Sequence, residues 1–124
     1  MRRKDGTGLV RNERKVLAAA LRLALEGQSE LYGYELFARL QEWEGEAPMD
    51  HGTLYRCLRS LESRDFFTSA VDQSTERIRV VYRLTPEGEA VARKATIQLA
   101  AEDTPPAWID VARASQALPP APCG

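Results

Sequence analysis

Gly52, Thr53, Arg56, Arg59, Ser60 and Ser63 have the types and the spacing to touch a nucleic acid. They share one side of a helix if the stretch HGTLYRCLRSLE, beginning at His51, winds at 3.6 residues per turn. Arginine offers a planar fork of N–H donors that fits a guanine edge or a phosphate, and small or hydroxylated neighbours let the backbone come close. Leu54, Leu58 and Leu61 stack on the opposite side with Cys57 beside them, and Glu62 is displaced toward the flank. A greasy inner face and a cationic outer face suit a helix that enters the major groove. The same face would also serve as ordinary solvated surface, so the elements around it have to decide between the two.

Other chemistries find little support. His51 is the single histidine and has no second ligand at metal spacing, and Cys57 and Cys123 form no CxxC arrangement. No glycine-rich phosphate loop and no nucleophile with a base nearby is recognisable, so the reading is not an enzyme, with no cofactor and no metal. The cysteine usage fits a reducing cytoplasm. A chain of 124 residues is one domain by size. Its longest apolar stretch, Val16 to Leu25, is interrupted by Arg22 and falls short of the roughly 20 residues a membrane helix needs. No secretory signal and no membrane partner are expected.

The net charge of −1 hides a segregated pattern. The start is basic, with Arg2, Arg3, Lys4, Arg11, Arg14 and Lys15 against Asp5 and Glu13. Residues 16–50 are acidic, with Glu26, Glu30, Glu35, Glu42, Glu44, Glu46 and Asp50 against Arg22 and Arg39. From His51 to Lys94 the balance turns mildly positive. Such a molecule can turn one basic face to DNA and keep its acids elsewhere.

The pattern of apolar residues predicts the elements that would position this face. Residues 1–8 read as a flexible basic arm. A first helix is expected from Leu9 to Glu26, stopped by Gly27, and a loop, GQSELYG, leads to a second helix from Gly33 to Trp43. Leu36, Phe37 and Leu40 supply its buried stripe, and Trp43 at its end covers the core. Pro48 breaks the chain and Asp50 can cap the third helix. After Asp65 the period becomes that of a strand: FFTSAV and RIRVVYRL flank the turn-like DQSTE. Thr85 and Pro86 then open a helix reaching about Ala101. Pro105 and Pro106 interrupt it before a short helix over 107–117, and residues 118–124 read as a disordered, proline-rich tail.

Three helices followed by a β-hairpin is the order of a winged helix-turn-helix domain, here spanning residues 9–86. The fold class is therefore mainly α with a small β-hairpin, and residues 87–117 form a C-terminal helical region for dimerisation. Arg77 and Arg79 in the hairpin can reach phosphates or the adjacent minor groove. Val91, Ala95, Leu99 and Ile109 make an alanine-rich stripe that looks too sparse to close a monomer, so a symmetric partner is expected to bury it. Two-fold symmetry would set two reader helices about 34 Å apart on a palindromic duplex.

Three motifs carry a family resemblance: YGYEL at Tyr32–Leu36, GTLYRCLRSLE at Gly52–Glu62 and VYRLTPEG at Val81–Gly88. In this order, over roughly residues 10–95, the chain resembles the PadR-like transcriptional regulators. The resemblance implies a homodimeric winged-helix repressor with a C-terminal dimerisation region, in a family where several members sense small hydrophobic or aromatic molecules. It places Gly52, Thr53 and Tyr55 at the DNA-facing start of the reader helix and Arg77 and Arg79 in the wing. Departures are visible too. Arg56 stands where many relatives have proline, Asp65 where glycine is common, and Phe66-Phe67 where an aliphatic pair is usual, while the wing lacks a glycine-rich tip.

Among the aromatic residues, Tyr55 is a candidate phosphate contact and Tyr34 is read as mainly structural. Trp108, beyond the aligned motifs, is read first as a packing or dimer-interface residue and second as a platform for an aromatic inducer. Cys57 is expected to be inert core. The leading function is a sequence-specific, dimeric DNA-binding regulator that represses a nearby promoter. The alternative is a winged-helix module that binds protein without specific DNA recognition.

Overall fold

The computed structural model describes residues 8–45, 49–73 and 78–117; the expected basic arm up to Thr7, the wing residue Arg77 and the tail from Leu118 lie outside these. Eight elements follow in order: α1 (Arg11–Leu25), β1 (Leu31–Tyr32), α2 (Gly33–Glu44), α3 (His51–Ser63), β2 (Phe67–Asp72), β3 (Arg79–Leu84), α4 (Pro86–Ala100) and α5 (Val111–Ala114). The strands form an antiparallel sheet in the order β1-β3-β2. This is the mainly helical winged-helix architecture that the element order predicts. The first four long helices begin and end within two residues of expectation.

Helix α1 is the axis of the core. Its residues from Val16 to Leu21, with Leu23 and Ala24, are buried almost all the way round, as expected of a helix that is apolar on every side. Leu36 and Leu40 of α2, Leu54, Leu58 and Leu61 of α3, Phe67 of β2 and Leu99 of α4 are fully buried around it. The helix starts are held by side chains. Asp50 accepts the Thr53 N–H at 2.7 Å and the Thr85 hydroxyl oxygen accepts the Gly88 N–H at 2.8 Å. Glu13 and Glu35 each reach back to the N–H that precedes their helix, on Val10 and Tyr32, at 3.0 and 2.9 Å.

The glycines of two motifs are packing devices. A Cβ on Gly33 would stand 2.5 Å from the Tyr55 hydroxyl, so the first motif needs glycine because the second lays a tyrosine ring over it. A Cβ on Gly88 would stand 1.9 Å from the Phe66 carbonyl oxygen, so α4 can start here only without a side chain. The Thr85 hydroxyl tightens the same junction by donating to the Asp65 carbonyl at 2.6 Å. Asp65 itself closes α3 in the left-handed region, at φ 65. Its N–H bonds to Glu62 and the next one, Phe66, to Leu61, both at 3.0 Å. Aspartate tolerates this conformation better than most residues, though less well than glycine.

Three expectations need correction. Leu31 and Tyr32 are a strand, where the sequence reads as loop: they pair with Tyr82 and Val81 of β3. Two residues carry no readable alternation, and their strand character comes from the unsatisfied edge of β3 that they cover. The stripe expected to wait for a partner is covered within the chain, since Ala95 and Leu99 are buried and Val91 half-buried in the core built on α1. The small residues at 18–20 of α1 let α4 come close enough for alanine to suffice. The outward side of α4 carries instead Ala90, Lys94 and Ile97. Finally, the last helix is one turn long, with Asp110 capping Arg113 N–H at 3.0 Å, because the chain from Pro105 to Asp110 is occupied in packing Trp108.

Candidate nucleic-acid interface

The outer face of α3 forms one wall of an open concavity of about 650 Å³. Thr53, Arg56, Arg59, Ser60 and Ser63 line it, so the structure brings five of the sequence-predicted residues together. The opposite wall is the start of α1, with Val10, Asn12 and Glu13. Sequence reasoning misses these three, because nothing local links them to α3. Arg56 is exposed and lies 3.3 Å from the Thr53 hydroxyl. Arg59 is exposed and makes no hydrogen bond or ion pair among the described residues. The Ser63 hydroxyl donates to the Ser60 carbonyl at 2.7 Å, which leaves the serine oxygen free to accept. The backbone N–H and the hydroxyl of Thr53 hold the Asp50 carboxyl below the usual carboxylate range.

Gly52 differs from the two packing glycines. A Cβ there would meet Arg56 and Asp50 side-chain atoms at 3.7 Å, an ordinary contact. Nothing among the described residues requires glycine in this exposed first turn, although glycine in a helix costs about 1 kcal/mol relative to alanine.

Tyr55 is 37% exposed, and its ring covers Gly33 and meets His51 edge-on at 6.1 Å. It joins α3 to the start of α2. His51 in turn tilts against Phe37 at 3.6 Å, which gives the one histidine a packing place. Cys57 is buried, and burial pushes its thiol up to about 11, so it is a poor nucleophile.

The wing has two unlike faces. Phe67, Ser69 and Val71 pair with Leu84, Tyr82 and Val80 on one, while Thr68, Ala70 and Asp72 pair with Arg83, Val81 and Arg79 on the other. Arg79 donates to the Tyr34 hydroxyl at 3.0 Å and lies 5.3 Å from the rings of both Tyr32 and Tyr34. The two tyrosines stack at 5.5 Å, and the Tyr32 hydroxyl donates to Asp72. Tyr34 thus orients the wing arginine, which fits its reading as mainly structural. On the first face, the Ser69 hydroxyl donates to Glu62 at the end of α3, at 2.5 Å. Burial raises the Tyr82 hydroxyl above its ordinary range, with the Glu62 charge adding to it.

Away from the outer face of α3, several acids are paired with cations. Glu26 accepts from Arg22, Arg39 and Arg113 at 3.3, 3.3 and 3.2 Å. Glu44 pairs with Lys15 at 2.9 Å in a nearly buried contact, and Glu102 takes a forked bond from Arg11. Trp108 belongs to this region. Its indole is buried, stacks on Trp43 at 5.2 Å and donates to Glu44 at 3.2 Å. Its carbonyl accepts from Arg22 at 3.0 Å, and Arg22 also lies 4.2 Å over the Trp43 ring. Beside the pair opens a depression of about 420 Å³, lined by Arg22, Trp43, Ala107, Trp108, Ile109 and Asp110. Among the described residues no group of side chains has the make-up of a metal site, and no helix is long and apolar enough to cross a membrane.

Residues 22–94 match the family model described as "Transcriptional regulator PadR-like family". No curated protein matches significantly. Among solved structures, a PadR family transcriptional regulator from Eggerthella lenta is 32% identical over 70% of this chain and 74% of its own, with a TM-score of 0.52. A transcriptional regulator from Clostridium thermocellum is 27% identical over 68% and 82%, with a TM-score of 0.57. A PadR family regulator from Clostridium difficile is 26% identical over 67% and 86%, with a TM-score of 0.51.

Proposed function

Because this chain belongs to the PadR-like family of transcriptional regulators, we propose that it is a sequence-specific repressor that binds a palindromic operator as a homodimer in the cytoplasm. The single observation that carries this reading is Gly52. A glycine that the fold does not need, at the open start of an arginine-bearing helix, is what a close approach by a duplex backbone requires.

In this reading α3 lies in the major groove. Arg56 and Arg59 contact guanine edges or phosphates, and Ser60, Ser63 and Thr53 offer hydroxyl groups to either. The Tyr55 hydroxyl contacts a phosphate beside the helix start. In the wing, Arg79 keeps N–H donors beyond the one given to Tyr34 and turns them to the backbone, joined by Arg77. The outward side of α4 supplies the two-fold contact, since its inner side is filled. A small hydrophobic or aromatic inducer would use the depression beside Trp43 and Trp108, where a flat ring finds aromatic edges and the Arg22 guanidinium.

The test is capture of DNA from sheared source genome at physiological salt, with wild type beside an Arg56→Ala/Arg59→Ala variant. Recovery of one or a few palindromic sites by the wild type alone is the expected result. Recovery of nothing, or of the same unselective DNA by both, would remove α3 as the reader. A stoichiometric protein partner on purification would then put the interaction-module reading in its place.

A further inference from the structure

The Arg56 guanidinium folds back along α3 toward its first turn. Nη2 lies 3.3 Å from the Thr53 hydroxyl, and Nη1 stands 3.7 Å from the place a Cβ on Gly52 would take. Asp50 Oδ1 stands 3.7 Å from that same place and accepts the Thr53 N–H at 2.7 Å. The Thr53 N–H and hydroxyl hold the Asp50 carboxyl below its ordinary range, and the Arg56 charge adds to this. One hydroxyl oxygen thus bridges the two charges, donating to the acid and accepting from the base. Asp50 and Arg56 are both exposed. Arg59, about one turn further on, has no such tether among the described residues. Capping alone does not call for a charge, since serine and asparagine cap a helix about as well as aspartate.

We propose that Asp50 is a positioning residue for base reading: through the Thr53 hydroxyl it fixes the Arg56 fork over the first turn of α3, and its charge turns that fork away from phosphates and toward a neutral guanine edge. This rests on the regulator reading above and deepens it by naming what makes one contact selective. A guanidinium free to swing is drawn to the nearest phosphate, which carries a full charge and no sequence information. With a carboxylate close by, the attraction of a phosphate to Arg56 is partly offset by repulsion, well inside the screening length of about 8–10 Å. Guanine O6 and N7 are neutral acceptors and are spared that repulsion. Selectivity is a difference of affinities, so a penalty on the wrong partner raises it without strengthening the right one. A fork already held in place also loses less freedom when it forms two hydrogen bonds at once. The carboxylate occupies the Thr53 N–H as well, which would otherwise draw an anion to the helix start. A strand passing close over Gly52 therefore presents its neutral sugar there.

Asp50→Asn and Asp50→Ser keep a competent cap and remove the charge, so both should melt close to wild type. Affinity is measured at several salt concentrations for a duplex of the captured site and for an unrelated duplex of the same length. Single base pairs are also substituted in turn across one half-site. Both variants should bind the unrelated duplex more tightly, on the order of fivefold, the size of the repulsion between two unit charges several ångströms apart in water. Affinity for the captured site should not rise with it, so the ratio of the two falls by that factor. Salt dependence on the unrelated duplex should steepen by about one phosphate contact. The penalty for replacing one G·C pair should shrink, and Arg56→Ala should abolish the penalty at that same pair. With Arg56→Ala in place, removing the Asp50 charge should leave the ratio unchanged. Equal gains on both duplexes would overturn the proposal, since Asp50 would then repel all DNA alike. So would unchanged affinities, which leave Asp50 a cap alone, or a fall in the ratio that persists without Arg56. A marked drop in the melting temperature of both variants would overturn it too, because the charge would then belong to the fold. All of these leave the regulator reading standing, whereas a wild type that selects no DNA in the capture overturns that reading itself.

Discussion

Arg22, Arg39 and Arg113 converge on one carboxylate, Glu26, whereas Arg56 and Arg59 face an open concavity where, among the described residues, only the Thr53 hydroxyl comes within hydrogen-bond reach. The same side chain is used in two ways. On the Trp43–Trp108 side of the molecule arginine is mortar: it crosses between elements, covers an indole and neutralises Glu26 and Glu42. On α3 it is left uncommitted. The difference helps a chain of net charge −1 to present a cationic face, since Glu26, Glu42, Glu44 and Glu102 are paired with cations away from it. It also shows why total charge is a poor guide to binding when charges are segregated.

Removing Trp108 should produce the largest effect. Trp108→Ala deletes the stack on Trp43 and a donor to Glu44, whose other carboxylate oxygen has no hydrogen-bond partner among the described residues. A loss of about 3–5 kcal/mol in unfolding free energy is expected, with the DNA affinity of the folded fraction unchanged. A variant that melts like wild type and yet fails to bind DNA would erase the division between the two regions. On the other side, Arg59→Ala should weaken specific binding by about 1–3 kcal/mol and shift stability by less than about 0.5 kcal/mol. Titration of DNA alongside chemical denaturation measures both in one preparation.

Gly52→Ala sharpens the contrast, because it should improve one property and harm the other. Stability rises by up to about 1 kcal/mol while operator affinity falls. A gain in both would mean that no backbone approaches there. The smallest effect concerns the Arg11–Glu102 fork, which holds the Glu102 carboxyl below its ordinary range. A carboxylate depressed by folding contributes stability above its unfolded pKa, and loses it as pH falls through the folded value. Arg11→Ala should therefore melt slightly below wild type at neutral pH and converge with it in acid, below about pH 4. The gap should stay small because the pair is near the surface. A gap that persists undiminished at pH 3 would assign the contact to packing instead of charge.

Much of the helical frame was legible because each helix carries its own punctuation. Asp50 and Thr85 cap where they were expected to, and Leu54, Leu58 and Leu61 keep the helical period in both sequence and core. What escaped was set by neighbours far along the chain. Strand β1 owes its identity to the edge of β3, fifty residues on in register. The alanines of α4 looked insufficient because the sequence does not reveal how near α1 lies. Arg79 reads as a free wing cation until Tyr34 is placed beside it. The three motifs were visible as words, but their glycines have two meanings: Gly33 and Gly88 are fixed by Tyr55 and Phe66, and Gly52 by nothing among the described residues.

The two-residue strand β1 has a mechanical consequence. It pairs with the middle strand of the wing and runs directly into α2, whose first residue lies under the Tyr55 ring of α3. Wing and α3 are thereby cross-braced through backbone bonds on one side and an aromatic lid on the other. A braced pair of this kind has little freedom to surrender on docking, so the entropic penalty of ordering it is met during folding. In the proposed dimer, any tolerance for half-sites set slightly too near or too far must then reside between the two copies of the chain. Under that proposal, operators with altered spacing should be discriminated by the compliance of that junction, while base substitutions within a half-site meet a stiff jaw.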